Sequence, residues 1–245
     1  YMTFFVEGGS GSTERVRITS GGQVRAGNTD ITTASAADDL IIGPNTPAGD
    51  HGITIFSGTS GTGNIYFGDT NTSGTGNRMG TISYYHNGNY MRFSTNGNQE
   101  RLRIDSNGYV TKPNNAMFKV QRTSNQGVGS NGWHIIQFNN DSTNGCFDIG
   151  NNFTTSNHRF TAPVNGYYHF GLNQRVDGGD TSYFRVAFSV NGSVGSSDNY
   201  PHGHAIYRDG NSFPYYSFSI STLIYLTAGQ YVRAEAYSHT DTSWT

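Results

Sequence analysis

Apolar and polar residues alternate over short runs along almost the whole chain, and a helical period of 3.6 residues is nearly absent. In Arg15-Val16-Arg17-Ile18 and Arg101-Leu102-Arg103-Ile104 this period of two predicts strands with aliphatic side chains on one face and arginines on the other. Similar patterns predict strands at 52–56, 64–67, 81–85 and 90–93. Gly21-Gly22, Asn87-Gly88 and Asn107-Gly108 supply residues that tolerate positive φ, as tight hairpins require. The Gly- and Thr-rich stretches 57–63 and 70–76 read as loops. Beyond Lys112-Pro113 the pattern is denser, with strands predicted at 117–122, 132–138, 159–170, 183–190, 215–226 and 230–237. Strands this regularly spaced, with turn signals between them, predict an all-β chain ending in a sandwich or jelly roll.

The strands also repeat. Glu14-Arg15-Val16-Arg17-Ile18-Thr19-Ser20-Gly21-Gly22-Gln23-Val24 returns as Glu100-Arg101-Leu102-Arg103-Ile104-Asp105-Ser106-Asn107-Gly108-Tyr109-Val110. A Tyr-Met-x-Phe precedes each copy, at Tyr1 and at Tyr90. The chain thus reads as the tail of one repeat (1–28), a whole second repeat (29–113) and a different module (114–245). Units that stack on their neighbours and end in a different, capping module build shafts with heads. Each copy has too few apolar residues to bury a core, and isolated hairpins are marginal in water. Three chains wound around one axis would cover these thin sheets and their edges, giving an intertwined trimeric shaft. A monomeric β-solenoid is the alternative.

Composition narrows the functions. Only 13% of residues are charged while 13% are aromatic, the opposite of a disordered chain. The net charge of −2 comes with no basic stripe, which argues against a nucleic-acid partner. No apolar run approaches the ~18 residues of a membrane span. The single Cys146 excludes an intrachain disulfide framework, is expected to be buried, and suits assembly in a reducing cytoplasm.

The second half resembles the globular heads of the complement recognition protein and its tumour-necrosis-factor-like relatives. The residues that carry the likeness are Asn152-Phe153, then Phe160-Thr161-Ala162-Pro163-Val164-Asn165-Gly166-Tyr167-Tyr168-His169-Phe170, then Asn191-Gly192 and Leu226-Thr227-Ala228-Gly229-Gln230. The resemblance implies a ten-strand jelly roll packed as a three-fold trimer with aromatics at the subunit contacts. It also implies a further strand where the chain reaches Asp241-Thr242-Ser243-Trp244-Thr245, so the head is expected to be cut short there or closed by an irregular strand. The first half is similar to the Glu-Arg-x-Arg-Ile-x-Ser-x-Gly-x-Val units of tailed-phage fibre proteins, especially those of marine and cyanobacterial phages. Together these likenesses imply a homotrimeric virion tail fibre, assembled in the host cytoplasm alongside other tail proteins.

The candidate chemistry fits binding better than catalysis. Asp38-Asp39 is the only adjacent pair of carboxylates, and strand neighbours point to opposite faces, so glycoside hydrolysis has no evident pair. No nucleophile elbow or phosphate loop is present. His202-Gly203-His204 could supply six imidazoles to an axial metal in a trimer, and an ordinary polar loop is the simpler reading. Asp177-Gly178-Gly179-Asp180 is the one compact acidic loop, and two carboxylates fall short of the six to eight oxygens calcium takes. No resident cofactor is expected. Loops at the far end of the head would carry Arg175, Asp177, Asp180, Arg208, Asp209, Asn211, Phe213, His239, Asp241 and Trp244. Polar groups beside aromatic rings suit a bacterial surface glycan, lipopolysaccharide or capsule. The expected function is therefore adhesion to a host surface, not an enzyme activity. A purely structural fibre whose head only trimerises, or a glycan depolymerase, are the alternatives.

Overall fold

In a computed structural model the chain is all-β, with a single short 3-10 turn, Gly76–Arg78, among the described residues. Those are residues 1–8, 11–27, 39–43, 50–71, 74–128, 132–177, 184–192, 194, 202–207, 215–239 and 242–244. The chain divides into two compact units, Tyr1–Asn98 with Ile104–Gly108, and Gln99–Arg103 with Tyr109–Thr245. Most of the strand that ends the second repeat copy is thus grouped with the residues that follow it.

In the first unit β1 (Met2–Gly8) and β2 (Gly11–Ile18) pair antiparallel. β3 (Val24–Ala26) continues the sheet on β2, and β4 (Leu40–Ile42) joins β3 in parallel. β5 (Thr62–Phe67), β6 (Gly80–Tyr85) and β7 (Tyr90–Thr95) form an antiparallel meander. The strand expected at 52–56 is absent, although its residues alternate. Among the described residues it has no partner to complete a ladder, and Phe56 is 93% exposed.

The alternation expected at 15–18 is interrupted for a physical reason. Phe4 faces Val16 but Phe5 faces Glu14, so Arg15 is an extra, bulged residue. A bulge shifts the flanking residues by one face. Glu14 and Arg17 therefore share a side, and the carboxylate accepts from Arg17 Nε at 2.6 Å and Nη2 at 2.7 Å. Arg15 is left exposed. The second copy, in β8 (Gln99–Ile104), makes the same contact, Glu100 accepting from Arg103 Nε at 3.0 Å and Nη2 at 2.6 Å, with Arg101 exposed. The turns that follow match as well. Gly22 donates to the Thr19 carbonyl at 3.0 Å with φ +86°, and Gly108 donates to that of Asp105 at 3.0 Å with φ +85°. Only glycine enters that region without steric cost. β9 (Val110–Thr111) then pairs with β8, as β3 does with β2. The sequence repeat is a repeat of local geometry.

The second unit continues with β10 (Met117–Lys119), β11 (Gln126–Val128), β12 (Gly132–Ile135), β13 (Phe147–Ile149), β14 (Phe153–Thr154) and β15 (Arg159–Thr161). After them come β16 (Gly166–Asp177), β17 (Phe184–Val190), β18 (His202–Tyr207), β19 (Tyr215–Leu226), β20 (Tyr231–Ser238) and β21 (Thr242–Trp244). One sheet has the order β11-β21-β16-β19 and the other β14-β15-β20-β17-β18, with β12 also on β20; β10 and β13 form a separate pair. The chain crosses between the sheets after β11, β15, β16, β18, β19 and β20, the winding of a jelly-roll sandwich. The core lies between the sheets, where Phe170, Leu172 and Val176 of β16 meet Phe184, Val186 and Phe188 of β17 and Val232, Ala234 and Ala236 of β20. Phe118, Tyr168 and Phe170 surround the buried Phe160 at ring-centre distances of 5.0, 5.3 and 5.6 Å. Cys146 is buried and unbridged.

A short closing strand is present. β21 pairs with Val176 and Asp177 of β16 on one side and with the whole of β11 on the other. The sequence motif residues also find one another. Asn165 Oδ1 accepts from the Ala228 amide at 2.8 Å, Asn191 Oδ1 from the Tyr231 amide at 2.9 Å, and the Ala162 carbonyl from Gly229 at 2.8 Å. Three turns are thereby tied together at one end of the sandwich, and each needs a short polar or glycine residue at its own position.

One buried ion sits on the outer side of the second sheet. Glu235, 1% exposed, accepts from Ser189 Oγ at 2.7 Å, the Val194 amide at 3.0 Å and Arg233 Nε at 2.7 Å. It holds Val194 down on β17 and β20, which is why Ser189 and Val194 are buried on a face that an open sandwich would expose.

Candidate functional site

Register decides what gathers where. Asp177 faces Tyr215 and Ser243, Phe184 faces Tyr207 and Ser238, and Gly132 also faces Ser238. These ends of β12 and of β16 through β21 therefore lie together at one end of the sandwich. Asn114, Asn115 and Ala116 border a groove with Pro163, Val164 and Gly166 at the opposite end.

Two arginine–aromatic pairs stand at the first end. Arg175 projects from the outer face of β16, and its guanidinium carbon lies 4.3 Å from the ring centre of Tyr215, itself 60% exposed. On the other sheet Tyr237 is the cross-strand partner of both Trp133 and Arg185. Its ring meets that of Trp133 edge-on at 5.8 Å, and the Arg185 guanidinium lies 5.7 Å from its centre. Each pair is held by cation–quadrupole attraction of about 0.5–1 kcal/mol at exposed sites. Such surfaces combine flat apolar faces with fixed N–H donors, which can pack on sugar C–H faces and bond their hydroxyls or carboxylates.

Of the residues selected from sequence, Arg175 and His239 are exposed at this end. Asp177 and Trp244 are placed there by backbone pairing, Asp177 opposite Ser243 and Trp244 opposite Val176. Asp180, Arg208, Asp209, Asn211, Phe213 and Asp241 lie outside the described residues. The sequence reading passed over Trp133, Arg185 and Tyr237, because strands far apart in the chain bring them together. Their only local signal was an aromatic or arginine on an outward strand position.

His204 faces Ala187 but His202 faces Phe188, so Gly203 is bulged, with φ +57°. Partial burial lowers the pKa of His202 below the ordinary imidazole value. Among the described residues no group of three or more His, Cys, Asp or Glu side chains could hold a metal. In the acidic loop Gly178, Gly179 and Asp180 are outside the described residues, as is Asp38, while Asp39 is exposed. Gly203→Ala is expected to cost about 1–2 kcal/mol, since a Cβ at that φ would sit 3.1 Å from Thr222 Cβ. Chemical denaturation of the variant checks this.

The groove at the opposite end has a volume of about 870 Å³. β19 covers one edge of β16 along all twelve residues, whereas among the described residues β21 covers the other only at Val176 and Asp177. Phe118, Phe160, Tyr168 and Phe170 floor the space between that edge and β10. On the outer face of the same sheet Tyr167, Leu223 and Tyr225 are 73%, 62% and 53% exposed. Compared with known proteins, the sequence matches no family model and no curated protein.

Proposed function

We propose that the chain is a segment of a homotrimeric virion tail fibre whose C-terminal head adheres to a bacterial surface glycan. The observation that carries this reading is a repeat with the same Glu–Arg clamp and glycine turn in both copies, followed by a jelly-roll unit with arginine–aromatic pairs gathered at one end. Trimerisation is supported by apolar residues a single chain leaves uncovered. In the first unit these include Met2, Phe4, Ile65 and Phe67, and in the second Tyr167, Leu223 and Tyr225 on one outer sheet face. Contiguous apolar faces of this kind mark surfaces that other chains cover. Three modest sites per trimer, and several fibres per particle, turn weak single-site binding into firm attachment.

The test begins with light scattering on the purified chain, for which a trimer is expected. Labelled trimer is then incubated with a panel of bacterial strains before and after periodate oxidation of their glycans. Strain-restricted binding that periodate abolishes is the expected result. Arg175→Ala should weaken it, and Tyr237→Ala should weaken it more, because two partners stack on that ring. A folded trimer that binds no strain susceptible to the parent virus would shift the assignment to a structural fibre. Shortening of purified polysaccharide would instead make the head a depolymerase.

A further inference from the structure

A small polar pocket of about 100 Å³ opens on one face of the β5–β6–β7 meander, and its lining includes two arginines, Arg78 and Arg92, and no carboxylate. The register explains the composition. Asn64, Ser83 and Arg92 lie side by side on the three strands, with Tyr66, Thr81 and Ser94 in the next row. This face is polar yet partly closed, with Thr81 only 4% exposed and Ser83 fully buried.

Most polar groups here have partners. Ser83 Oγ donates to Asn64 Oδ1 at 2.7 Å. Arg92 is fixed from two sides, with Nη2 donating to Asn98 Oδ1 and the guanidinium carbon 4.8 Å from the ring centre of Tyr85. Tyr85 in turn stacks on Tyr90 at 4.6 Å. Four groups are left over, one of them Ser94 Oγ, outside the pocket lining. The other three are Arg78 Nε, Arg92 Nε and Thr81 Oγ1, and all four are buried with no hydrogen-bond partner. Leaving a buried donor unmade is costly, more so when it is charged, and such groups call for an ion or water. Two other arginines of the repeat have carboxylates, Arg17 with Glu14 and Arg103 with Glu100. Nor does the hairpin itself demand Arg92, since the first copy carries Thr3 at the matching place in Tyr-Met-x-Phe.

We propose that Arg78, Arg92 and Thr81 form a binding site for a small oxyanion, the carboxylate of an acidic sugar or a phosphate or sulfate group. Guanidinium N–H groups held in place by stacking are suited to oxygen anions, and the Thr81 hydroxyl supplies a third donor. The site lies in the repeat unit, outside the head, and stands whether or not the chain is a fibre.

Isothermal titration of the intact chain with inorganic phosphate, sulfate, glucuronate and uncharged glucose tests it. Saturable binding of at least one anion and none of glucose is the expected result. Phosphate binding alone would identify a free or lipid-linked phosphate as the source, and glucuronate binding alone an acidic sugar. Arg78→Gln and Arg92→Gln should each weaken the binding by at least about tenfold, and Thr81→Val should weaken it less. Arg78 sits on the 3-10 turn, so its variant is expected to fold even if that at Arg92 does not. Absence of anion binding by the wild-type chain, or equal binding by Arg78→Gln, would overturn the proposal. Loss of trimer in Arg78→Gln without any anion binding would assign the arginines to a contact between copies, and would overturn it as well.

Discussion

Replacing Phe160 by alanine is expected to destabilise the second unit by about 4 kcal/mol. The ring is only 2% exposed although it floors the groove beside β16, and Phe118, Tyr168 and Phe170 pack around it within 5.6 Å. Truncation removes its buried apolar area and leaves a cavity among rings that are themselves fixed to different strands. β10 supplies Phe118 and β16 supplies Tyr168 and Phe170, so neither can collapse inward without breaking its own pairing. Phe160→Leu keeps most of the volume and should cost less than about 1.5 kcal/mol. Urea unfolding followed by near-ultraviolet circular dichroism reads both. A loss below about 1 kcal/mol for the alanine variant would mean that the aromatic cluster relaxes freely and is not the core it resembles.

Glu235→Ala should cost about 3–5 kcal/mol, the range for breaking a buried ion pair from one side. The carboxylate is the acceptor for Ser189 Oγ, the Val194 amide and Arg233 Nε, so its removal strands two buried donors and takes an anion from beside a mostly buried guanidinium. Glu235→Gln keeps one acceptor oxygen and the shape, and about 1–2 kcal/mol is expected. Hydrogen exchange at the Val194 amide gives a local readout. Exchange there should quicken sharply in the alanine variant, and unchanged protection would show that Val194 is held by something else.

These two residues differ in how far the sequence exposed them. Phe160 lies in a dense motif and at a core-facing strand position, so its burial was legible. Glu235 sits in a strand whose alternation gives no hint that an outward position is covered. Val194, some forty positions away, covers it. The same contrast runs through the candidate surfaces. Arg175 was picked out as a polar group near an expected loop, and its partner Tyr215 is its neighbour only through the β16–β19 ladder. Trp133, Arg185 and Tyr237 carry no local signal beyond an aromatic or arginine at an outward strand position. The pocket of Arg78 and Arg92 depends on a 3-10 turn folding back over a meander, which no strand pattern announces.

By itself the sequence determined the all-β class, the strands 64–67, 81–85, 90–93 and 215–226, and the turns at Gly22 and Gly108. Alternation and positive φ are properties of a few adjacent residues, so they survive without knowledge of partners. It also showed the near-copy Glu-Arg-x-Arg runs as a repeat, while the Glu–Arg clamp that both copies share came from the structure. Tertiary structure decided the rest. It left 52–56 without a partner, bulged Arg15 and Gly203, closed the sandwich with β21 and placed Val194 over Glu235. Each of these turns on strand register or on which edge acquires a neighbour. A shift of one residue in register moves every side chain to the other face, and register is fixed by distant pairings that no short stretch of sequence contains.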